Sequence, residues 1–412
     1  MEILSIKGLM QLLMKVRNTD EKWSREERKE KPSTEGKSEG CEKRRKEKIQ
    51  MRKNDGLLFV VLWVIALILA VPSPGAAEEK TWTIRFHYEQ PKTAPLAIYG
   101  FEPWAKEVEK ATKGRVKVQI FPGDTLFKTK SDAVESVRLG IADVAFMYAW
   151  SFTPKFDLTD VLGVPFIVPN AEVAGRVTWA LFQKFPEMQE QWKDVKVLTI
   201  WTTDPYVFIT TKKQIKVLED FRGMKMRVTS GMAVDMMKLL GGVPVTFPMP
   251  DSYLSLDKGV IDGMAAPGEA ITGFRLYEIA KYYTMVPTTC VSQQLIMNKN
   301  TWNAFPADIQ EAIMSVSGES GAIRFGGGCF DRAWELLPAT AKSAGKEMIT
   351  YVPPKEEMNR LIEKAGRPLW EAWIKKMESA GYPNARKIQE EAIRLVKEYS
   401  GGKTDQWRTM FP

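Results

Sequence analysis

The side chains that most often carry out catalysis or bind metals are scarce in this 412-residue sequence. His87 is the only histidine, so a zinc site or a Ser-His-Asp triad would depend on that residue alone. Its place beside a predicted strand favours a structural role. The sequence also lacks the G-x-S-x-G, Walker, G-x-G-x-x-G and HExxH motifs. We therefore predict no catalytic residues, no metal site and no cofactor.

None of the three cysteines has the C-x-x-C or mixed Cys and His spacing of a metal site. Cys41 lies in a charge-rich segment near the start of the chain, which leaves Cys290 and Cys329. In an oxidising compartment this pair could form a disulfide, although two separate buried thiols are the more frequent outcome. The spacing leaves both alternatives open.

Residues 81–148 alternate between strand and helix patterns. Apolar and polar side chains alternate at 81–88, which predicts a strand. A helix pattern follows at 101–112, and a second strand at 116–121. A helix at 131–139 and a buried strand at 141–148 complete the unit. This order predicts a mainly parallel sheet covered by helices.

A second α/β unit begins near residue 200. Its elements are predicted as strands at 195–201, 206–211, 225–228 and 243–247 and helices at 232–240 and 251–258. Residues 289–298 form another apolar strand pattern, which we expect to return to the first sheet. From residue 306 onwards the pattern is mainly helical.

Several short motifs become specific only when they are taken together. The second unit contains LEDFRGMKMRV at 218–228, LLGGVP at 239–244, Tyr253 and GVIDG at 259–263. The first unit contains the segment 104–109, GRV at 114–116, FP at 121–122, GIADVA at 140–145 and PF at 165–166. In the order and spacing of these motifs, residues 81–400 resemble the substrate-binding subunits of TRAP transporters, the DctP-like family.

The resemblance implies an α/β protein of the periplasmic-binding-protein type, a two-domain clamp with a long helix in its C-terminal half that spans both domains. It implies a partner that is a small organic acid anion, delivered to the membrane permease subunits of the transporter. It also implies that Arg227 holds the ligand's carboxylate. A guanidinium suits that role because it is always charged and presents a planar fork of donors. A surface arginine at a strand end is the alternative.

Two departures from the sialic-acid-binding branch of this family predict the kind of ligand. That branch has Gln-Glu-Asn-Pro after the Asp-Gly pair, whereas this sequence has MAAP at 264–267. The branch also has a second arginine twenty residues before the first, where an ungapped count places Val207. Polar partners are lost at both places. We therefore expect a monocarboxylate with an apolar or aromatic body, such as a 2-oxo, 2-hydroxy or aromatic acid.

Aromatic side chains lie where predicted strands end and a cleft would open. They can stack on such a ligand, and tyrosine keeps a hydroxyl for a polar group, although core packing is the alternative for each. Glu269 follows a Pro-Gly turn, and it would contact a ligand hydroxyl or act as a structural ion pair or helix cap. The candidate ligand-binding residues are Arg227, Tyr88, Tyr148, Trp150, Trp201, Tyr206, Phe247 and Glu269.

Residues 51–77 have the layout of a secretory signal peptide. A basic start precedes an apolar run at 57–71, and a stretch rich in Pro and Ala ends at Ala77. A retained anchor is the alternative, but a spanning helix needs roughly 20 apolar residues and this run is shorter. We predict cleavage after Ala77 and a periplasmic protein.

Residues 1–50 are dense in charge and poor in aromatic side chains, so they cannot bury a core. We expect a non-native extension or a disordered tail, and a basic tail could contact nucleic acid or lipid. Residues 78–412 contain 43 Lys and Arg against 40 Asp and Glu, a net charge of +3. That balance predicts no nucleic-acid partner, and membrane contact only through the permease.

The 335 residues after the leader favour two domains. We place domain I at 80–204 plus 291–330, and domain II, with the C-terminal helices, at 205–290 plus 331–400. Two other functions stay open beside the transport role. A sensor subunit for a signalling receptor needs the same ligand-stabilised clamp, and a secreted enzyme would have to use Glu, Asp, Tyr or Lys.

Overall fold

Two mixed β-sheets flanked by helices make up the part of the chain that the computed structural model describes, which is residues 80–152, 154–229 and 231–402. The predicted tail at 1–50 and the predicted signal peptide at 51–77 lie outside these residues. No helix in the described ranges is long and apolar enough to cross a membrane.

The strands and helices are numbered separately in chain order. The strands are β1 (Trp82–Tyr88), β2 (Val116–Pro122), β3 (Val144–Tyr148), β4 (Lys196–Thr202), β5 (Val207–Thr210), β6 (Lys225–Arg227), β7 (Val243–Val245), β8 (Gly263–Ala266), β9 (Tyr282–Thr284), β10 (Ser292–Met297) and β11 (Ile349–Tyr351). The helices are α1 (Glu102–Ala111), α2 (Thr129–Arg138), α3 (Ala171–Lys184), α4 (Pro186–Glu190), α5 (Met232–Leu239), α6 (Ser252–Asp257), α7 (Gly268–Gly273), α8 (Lys299–Asn303), α9 (Ala307–Ser315), α10 (Gly318–Phe325), α11 (Arg332–Ser343), α12 (Lys355–Leu361), α13 (Arg367–Ser379) and α14 (Ala385–Tyr399).

The first sheet has the strand order β2-β1-β3-β10-β4. β1 runs parallel to β2 and β3, as the alternation of strands and helices predicts. β10 comes after the second unit in the chain and inserts antiparallel between β3 and β4, so it returns to the first sheet. The second sheet has the order β11-β9-β5-β8-β6-β7.

The chain passes between the two sheets in two adjacent segments. The first joins β4 to β5, and the second joins β9 to β10. They are hydrogen-bonded to each other, since Thr203 N–H donates to the Val291 carbonyl at 3.0 Å and Tyr206 N–H to the Thr289 carbonyl at 3.1 Å. Two paired crossing segments are a suitable hinge between two α/β units.

One long helical segment connects the cores of the two sheets. It consists of α10, a π-helical turn at Gly326–Asp331, and α11. Ala322 and Phe325 of α10 pack in the core of the first sheet, whereas Trp334 and Leu337 of α11 pack in the core of the second. The predicted helix spanning both units is therefore present.

Glycine allows this segment to approach α3 closely. A Cβ atom on Gly326 would lie 2.5 Å from the carbonyl oxygen of Ala171, which is too short for any real contact. The π-helical turn contains Phe330, which lies two residues before the start of α11 and lines a cavity between the sheets.

The C-terminal helices pack differently from the predicted division. Trp373 and Met377 of α13 and Leu395 of α14 belong to a core with the α3 side chains of the first unit. Met358 and Leu361 of α12, and Leu369 at the start of α13, contribute to a core of the second unit. The sequence prediction assigned all of 331–400 to domain II because helical periodicity identifies an apolar face but not the surface that covers it.

Candidate functional site

A cavity of about 610 Å³ is lined by residues from both units. Its walls come from strand ends and from the turns that follow them, which is where open α/β sheets usually bind ligands. Its described lining residues include Glu89, Gln90, Lys128, Lys130, Tyr148, Tyr206, Arg227, Met249, Pro267, Glu269, Phe274, Gln293 and Phe330.

Arg227 is the last residue of β6, and it is only 6% exposed. Its Nη2 donates to the carbonyl oxygen of Phe247 at 3.2 Å, while its Nη1 has no hydrogen-bond partner among the described residues. No carboxylate in the described ranges forms an ion pair with it. Burial lowers the pKa of Arg227, but a guanidinium stays charged at neutral pH. The cavity wall thus contains a buried cation with an open donor.

Two of the predicted aromatic residues also line the cavity. Tyr148 is the last residue of β3, and Tyr206 lies directly before β5. Tyr206 is 6% exposed, and burial raises its pKa far above the usual range, so its hydroxyl stays protonated. Both rings can contact an apolar ligand while their hydroxyls bind polar groups.

A short chain of hydrogen bonds joins Glu89, Tyr148 and Gln90 on one wall of the cavity. The Tyr148 hydroxyl donates to Glu89 Oε1 at 2.6 Å, and it accepts from Gln90 Nε2 at 3.1 Å. Gln293 lies directly opposite Tyr148 in the β3–β10 ladder. The Oε1 atoms of Gln90 and Gln293 are buried, and neither has a hydrogen-bond partner within the described part of the chain.

Glu269 is positioned by the start of α7. Gly268 N–H donates to Asp204 Oδ2 at 3.2 Å, and the Trp334 indole N–H donates to the same oxygen. A Cβ atom on Gly268 would lie 2.7 Å from the Trp334 ring, so glycine is required for this approach. The buried Asp204 therefore connects the first crossing segment, α7 and the spanning helix, and this connection directs Glu269 to the cavity.

The carboxyl groups of Glu269 and Glu89, which line the cavity, have raised pKa values. Burial raises the pKa of Glu269 to about 7, and the charge of Glu89 adds to the increase. Burial also raises the pKa of Glu89, against the opposing effects of Lys130 and of the Tyr148 hydrogen bond. The Asp204 carboxyl is buried as well, and its pKa is raised for the same reason. Burial therefore opposes the negative charge of the carboxyl groups that an anionic ligand would meet.

Three predicted site residues lie outside the cavity lining. Tyr88 and Trp201 are 0% exposed and belong to the first unit's core. Trp201 stacks on Phe325 of α10 with ring centroids 4.6 Å apart. Phe247 contributes its carbonyl oxygen to Arg227, and its ring lies 6.0 Å from the guanidinium carbon.

Trp201 nevertheless shares a sheet face with the cavity residues. Trp201 and Tyr148 both lie directly opposite Gln293, and directly opposed residues point to the same face of a sheet. The spanning helix covers this face over Trp201 and leaves it open at Tyr148. Trp150 has its backbone in a short 3₁₀ turn after β3, and its side chain lies outside the described part of the structure.

The positions used to predict an apolar ligand are also buried elsewhere. Val207 pairs with Ala266, and Phe208 pairs with Ala265, in the β5–β8 ladder. Val207, Ala265 and Ala266 are each at most 5% exposed and lie in cores of the second unit. Their side chains do not line the cavity.

The remaining chemistry-bearing residues have structural surroundings. His87 is buried, with Nε2 3.1 Å from Thr129 Oγ1, and burial is the largest effect on its pKa, which is lowered. Cys290 and Cys329 are both buried and free, so no disulfide joins them. Within the described ranges, no group of three or more His, Cys, Asp and Glu side chains could hold a metal ion.

Sequence reasoning missed Glu89, Gln90, Gln293 and Phe330. Glu89 and Gln90 directly follow the first strand, so the position of strand ends could have identified them. Gln293 and Phe330 carried no such signal, because one is inside a strand and the other inside a long helical segment.

Comparison with known proteins identifies the family. The profile of the family described as bacterial extracellular solute-binding protein, family 7 (DctP), matches residues 87–376. The outer membrane transporter protein TsaT of Comamonas testosteroni is 26% identical over 325 residues, which cover 78% of this chain and 93% of that protein.

Two solved structures share the fold. A TRAP solute-binding protein from Rhodoferax ferrireducens T118, in complex with copurified benzoate, superposes with a TM-score of 0.71 at 25% identity, covering 77% of this chain and 98% of that one. A TRAP solute-binding protein from a marine metagenome, specific for aromatic acid ligands and solved with 3-hydroxybenzoate, has a TM-score of 0.71 at 26% identity, covering 78% and 99%. The chain belongs to the bacterial extracellular solute-binding protein family 7, the DctP family of TRAP-type solute-binding proteins.

Proposed function

We propose that this protein binds a small organic monocarboxylate with an apolar or aromatic body, through Arg227, and delivers it to the membrane subunits of a TRAP-type transporter. The class includes 2-oxo, 2-hydroxy and aromatic acids.

The observation that carries the proposal is the open guanidinium of Arg227. A buried charge without a partner is costly, and it persists where a ligand supplies the counter-charge. The Nη1 atom lacks a partner among the described residues, and the cavity lies beside it. Each charge-assisted hydrogen bond to a carboxylate contributes about 1.5–3 kcal/mol.

The number of cationic side chains favours a single carboxylate. Lys128 and Lys130 also line the cavity, but both are exposed, so Arg227 is the buried cation among the described lining residues. Phe330, Phe274 and Met249 supply apolar surface for the ligand body. The benzoate and 3-hydroxybenzoate bound by the two similar structures belong to the same ligand class.

The family and the site both favour transport over catalysis. Solute-binding proteins of this family are not catalytic, and the one histidine, His87, is packed away from the cavity lining. We further propose that residues 51–77 are removed as a signal peptide, which places the protein in the periplasm beside the permease.

A thermal-shift screen tests the proposal. Residues 78–412 would be screened with benzoate, mandelate, pyruvate, lactate, succinate and sialic acid, because a ligand that binds only the folded clamp raises its melting temperature. We expect a shift with one or more monocarboxylates, and the loss of most of it in Arg227→Lys. Arg85→Lys is the matched control, since Arg85 pairs with Asp143 away from the cavity and should leave the shift intact.

Several outcomes would contradict the proposal. A shift with succinate alone would exclude a monocarboxylate ligand, and a shift with sialic acid alone would exclude a ligand with an apolar or aromatic body. An undiminished shift in Arg227→Lys would remove Arg227 from the binding site. Chemical change of the recovered ligand after long incubation with the protein would favour an enzyme instead.

A further inference from the structure

The cavity has an excess of hydrogen-bond acceptors on the wall formed by β1, β3 and β10. The Oε1 atoms of Gln90 and Gln293 are buried and have no partner among the described residues. Gln293 is 4% exposed, so bulk water reaches it poorly. A buried acceptor without a partner costs about 1–3 kcal/mol, which makes these two oxygens a site for a donor.

The direction of the hydrogen bonds around Tyr148 fixes which atoms stay open. A tyrosine hydroxyl has one hydrogen, and it is donated to Glu89 Oε1 at 2.6 Å. Gln90 must therefore donate its Nε2 hydrogen to the Tyr148 oxygen, at 3.1 Å, and this turns its Oε1 away as an acceptor. The carboxylate of Glu89 keeps further lone pairs, because an ionised carboxylate accepts about four hydrogen bonds.

We propose that Glu89, Gln90 and Gln293 form a hydroxyl-binding wall, and that the ligand is a carboxylate with a hydroxyl group positioned away from its carboxylate. This inference rests on the proposed function, because Arg227 must hold the carboxylate for the far end of the ligand to reach the wall.

Charge favours a hydroxyl over an ammonium group at this wall. The side chain of Lys130 lines the same cavity, and its charge opposes the effect of burial on Glu89. Because Lys130 and Arg227 already place positive charge at this cavity, a cation from the ligand would meet like-charge repulsion there. A neutral donor satisfies the open oxygens without adding charge.

Isothermal titration calorimetry with matched benzoates tests the inference. The 2-, 3- and 4-hydroxybenzoates would be compared with the fluorobenzoates of the same substitution, since fluorine is close to a hydroxyl in size but cannot donate. We expect one hydroxy isomer to bind about 10- to 100-fold more tightly than its fluoro counterpart, as a charge-assisted hydrogen bond requires. Glu89→Gln should reduce this ratio about tenfold or to unity.

Controls separate the wall from the rest of the site. Glu311→Gln, in the exposed part of α9, should keep the wild-type ratio. Circular dichroism melts would verify that Glu89→Gln is folded, and its retained affinity for the fluorobenzoate would verify that the Arg227 end is intact.

Several results would overturn the inference. These are equal binding of hydroxy and fluoro isomers, an unchanged ratio in Glu89→Gln, and tighter binding of an aminomethylbenzoate than of the hydroxybenzoates. Failure of every benzoate would also overturn it. The proposed function would still stand if another monocarboxylate produced an Arg227-dependent thermal shift, so the two failures are distinguishable.

Discussion

Replacing Arg227 by methionine should raise the folding stability of the ligand-free protein and greatly reduce its affinity for the ligand. Methionine keeps an unbranched apolar stem of similar length, and it removes the buried charge. The guanidinium is 6% exposed, has an open Nη1, and has one described acceptor, the carbonyl oxygen of Phe247. The wild-type arginine therefore favours ligand binding and lowers the stability of the ligand-free protein.

The size of both effects can be estimated. An unsatisfied buried donor costs about 1–3 kcal/mol, and the lost hydrogen bond to Phe247 is worth about 1 kcal/mol. The difference predicts a ligand-free variant that is more stable by about 1 kcal/mol, or about 1–3 °C in melting temperature for a chain of this size. Two charge-assisted bonds to a carboxylate are worth about 3–6 kcal/mol, so affinity should fall about 100- to 10,000-fold.

Differential scanning calorimetry without ligand, followed by titration with the acid found in the screen, measures both quantities on the same preparation. Arg85→Met provides the comparison for removing a paired, half-exposed arginine. A ligand-free Arg227→Met protein that melts 3 °C or more below the wild type would refute the reasoning about the uncompensated charge. Affinity within threefold of the wild type would refute the role of Arg227 in binding.

Three other predictions concern the surroundings of the cavity. Gly268→Ala places a Cβ atom 2.7 Å from the Trp334 ring, so urea unfolding should show a loss of about 1–3 kcal/mol, and an unchanged stability would mean that α7 can shift freely. Trp201→Phe keeps the stacking on Phe325 and removes an indole N–H that has no partner in the described residues, so ligand affinity by calorimetry should stay within threefold; a tenfold loss would place Trp201 in the site. The raised pKa of Glu269, about 7, means that the folded protein retains a proton that the unfolded chain releases above its ordinary value of 4.5, so this residue's contribution to stability is present at low pH and is lost as the pH rises to 7. Urea unfolding at pH 5 and pH 8 should show a smaller decrease for Glu269→Gln than for the wild type, and an equal or larger decrease would contradict the assignment.

The local sequence pattern predicts which residues line the cavity in some cases and not in others. Arg227 and Tyr148 end strands that the apolar periodicity indicates, and both line the cavity. Trp201 has the same kind of position, and its side chain even lies on the same sheet face. It is covered by α10, whose path over the sheet depends on contacts more than a hundred residues away along the chain. Periodicity identifies the face of a strand but not the element that covers it.

The ligand prediction shows the same limit. The absence of polar side chains at Val207, Ala265 and Ala266 predicts lost ligand contacts, but all three side chains pack inside the second unit, where Val207 pairs with Ala266 and Phe208 pairs with Ala265. An ungapped count places a residue along the chain, whereas a change in strand pairing moves its side chain to another face. The apolar character of the cavity comes instead from residues such as Phe330 and Phe274.

From the sequence alone, local periodicity indicated the α/β class and two α/β units, and the order of short motifs indicated the family. The resemblance to that family implied the spanning helix. It also indicated Arg227, since a family motif surrounds that residue. The tertiary structure decided which side chains share the cavity with it. Gln293 reaches the wall because β10 returns to the first sheet, and Glu269 is directed inward because Asp204 holds the start of α7. Both depend on contacts between distant parts of the chain, and the free energy of such contacts has no local signature in the sequence.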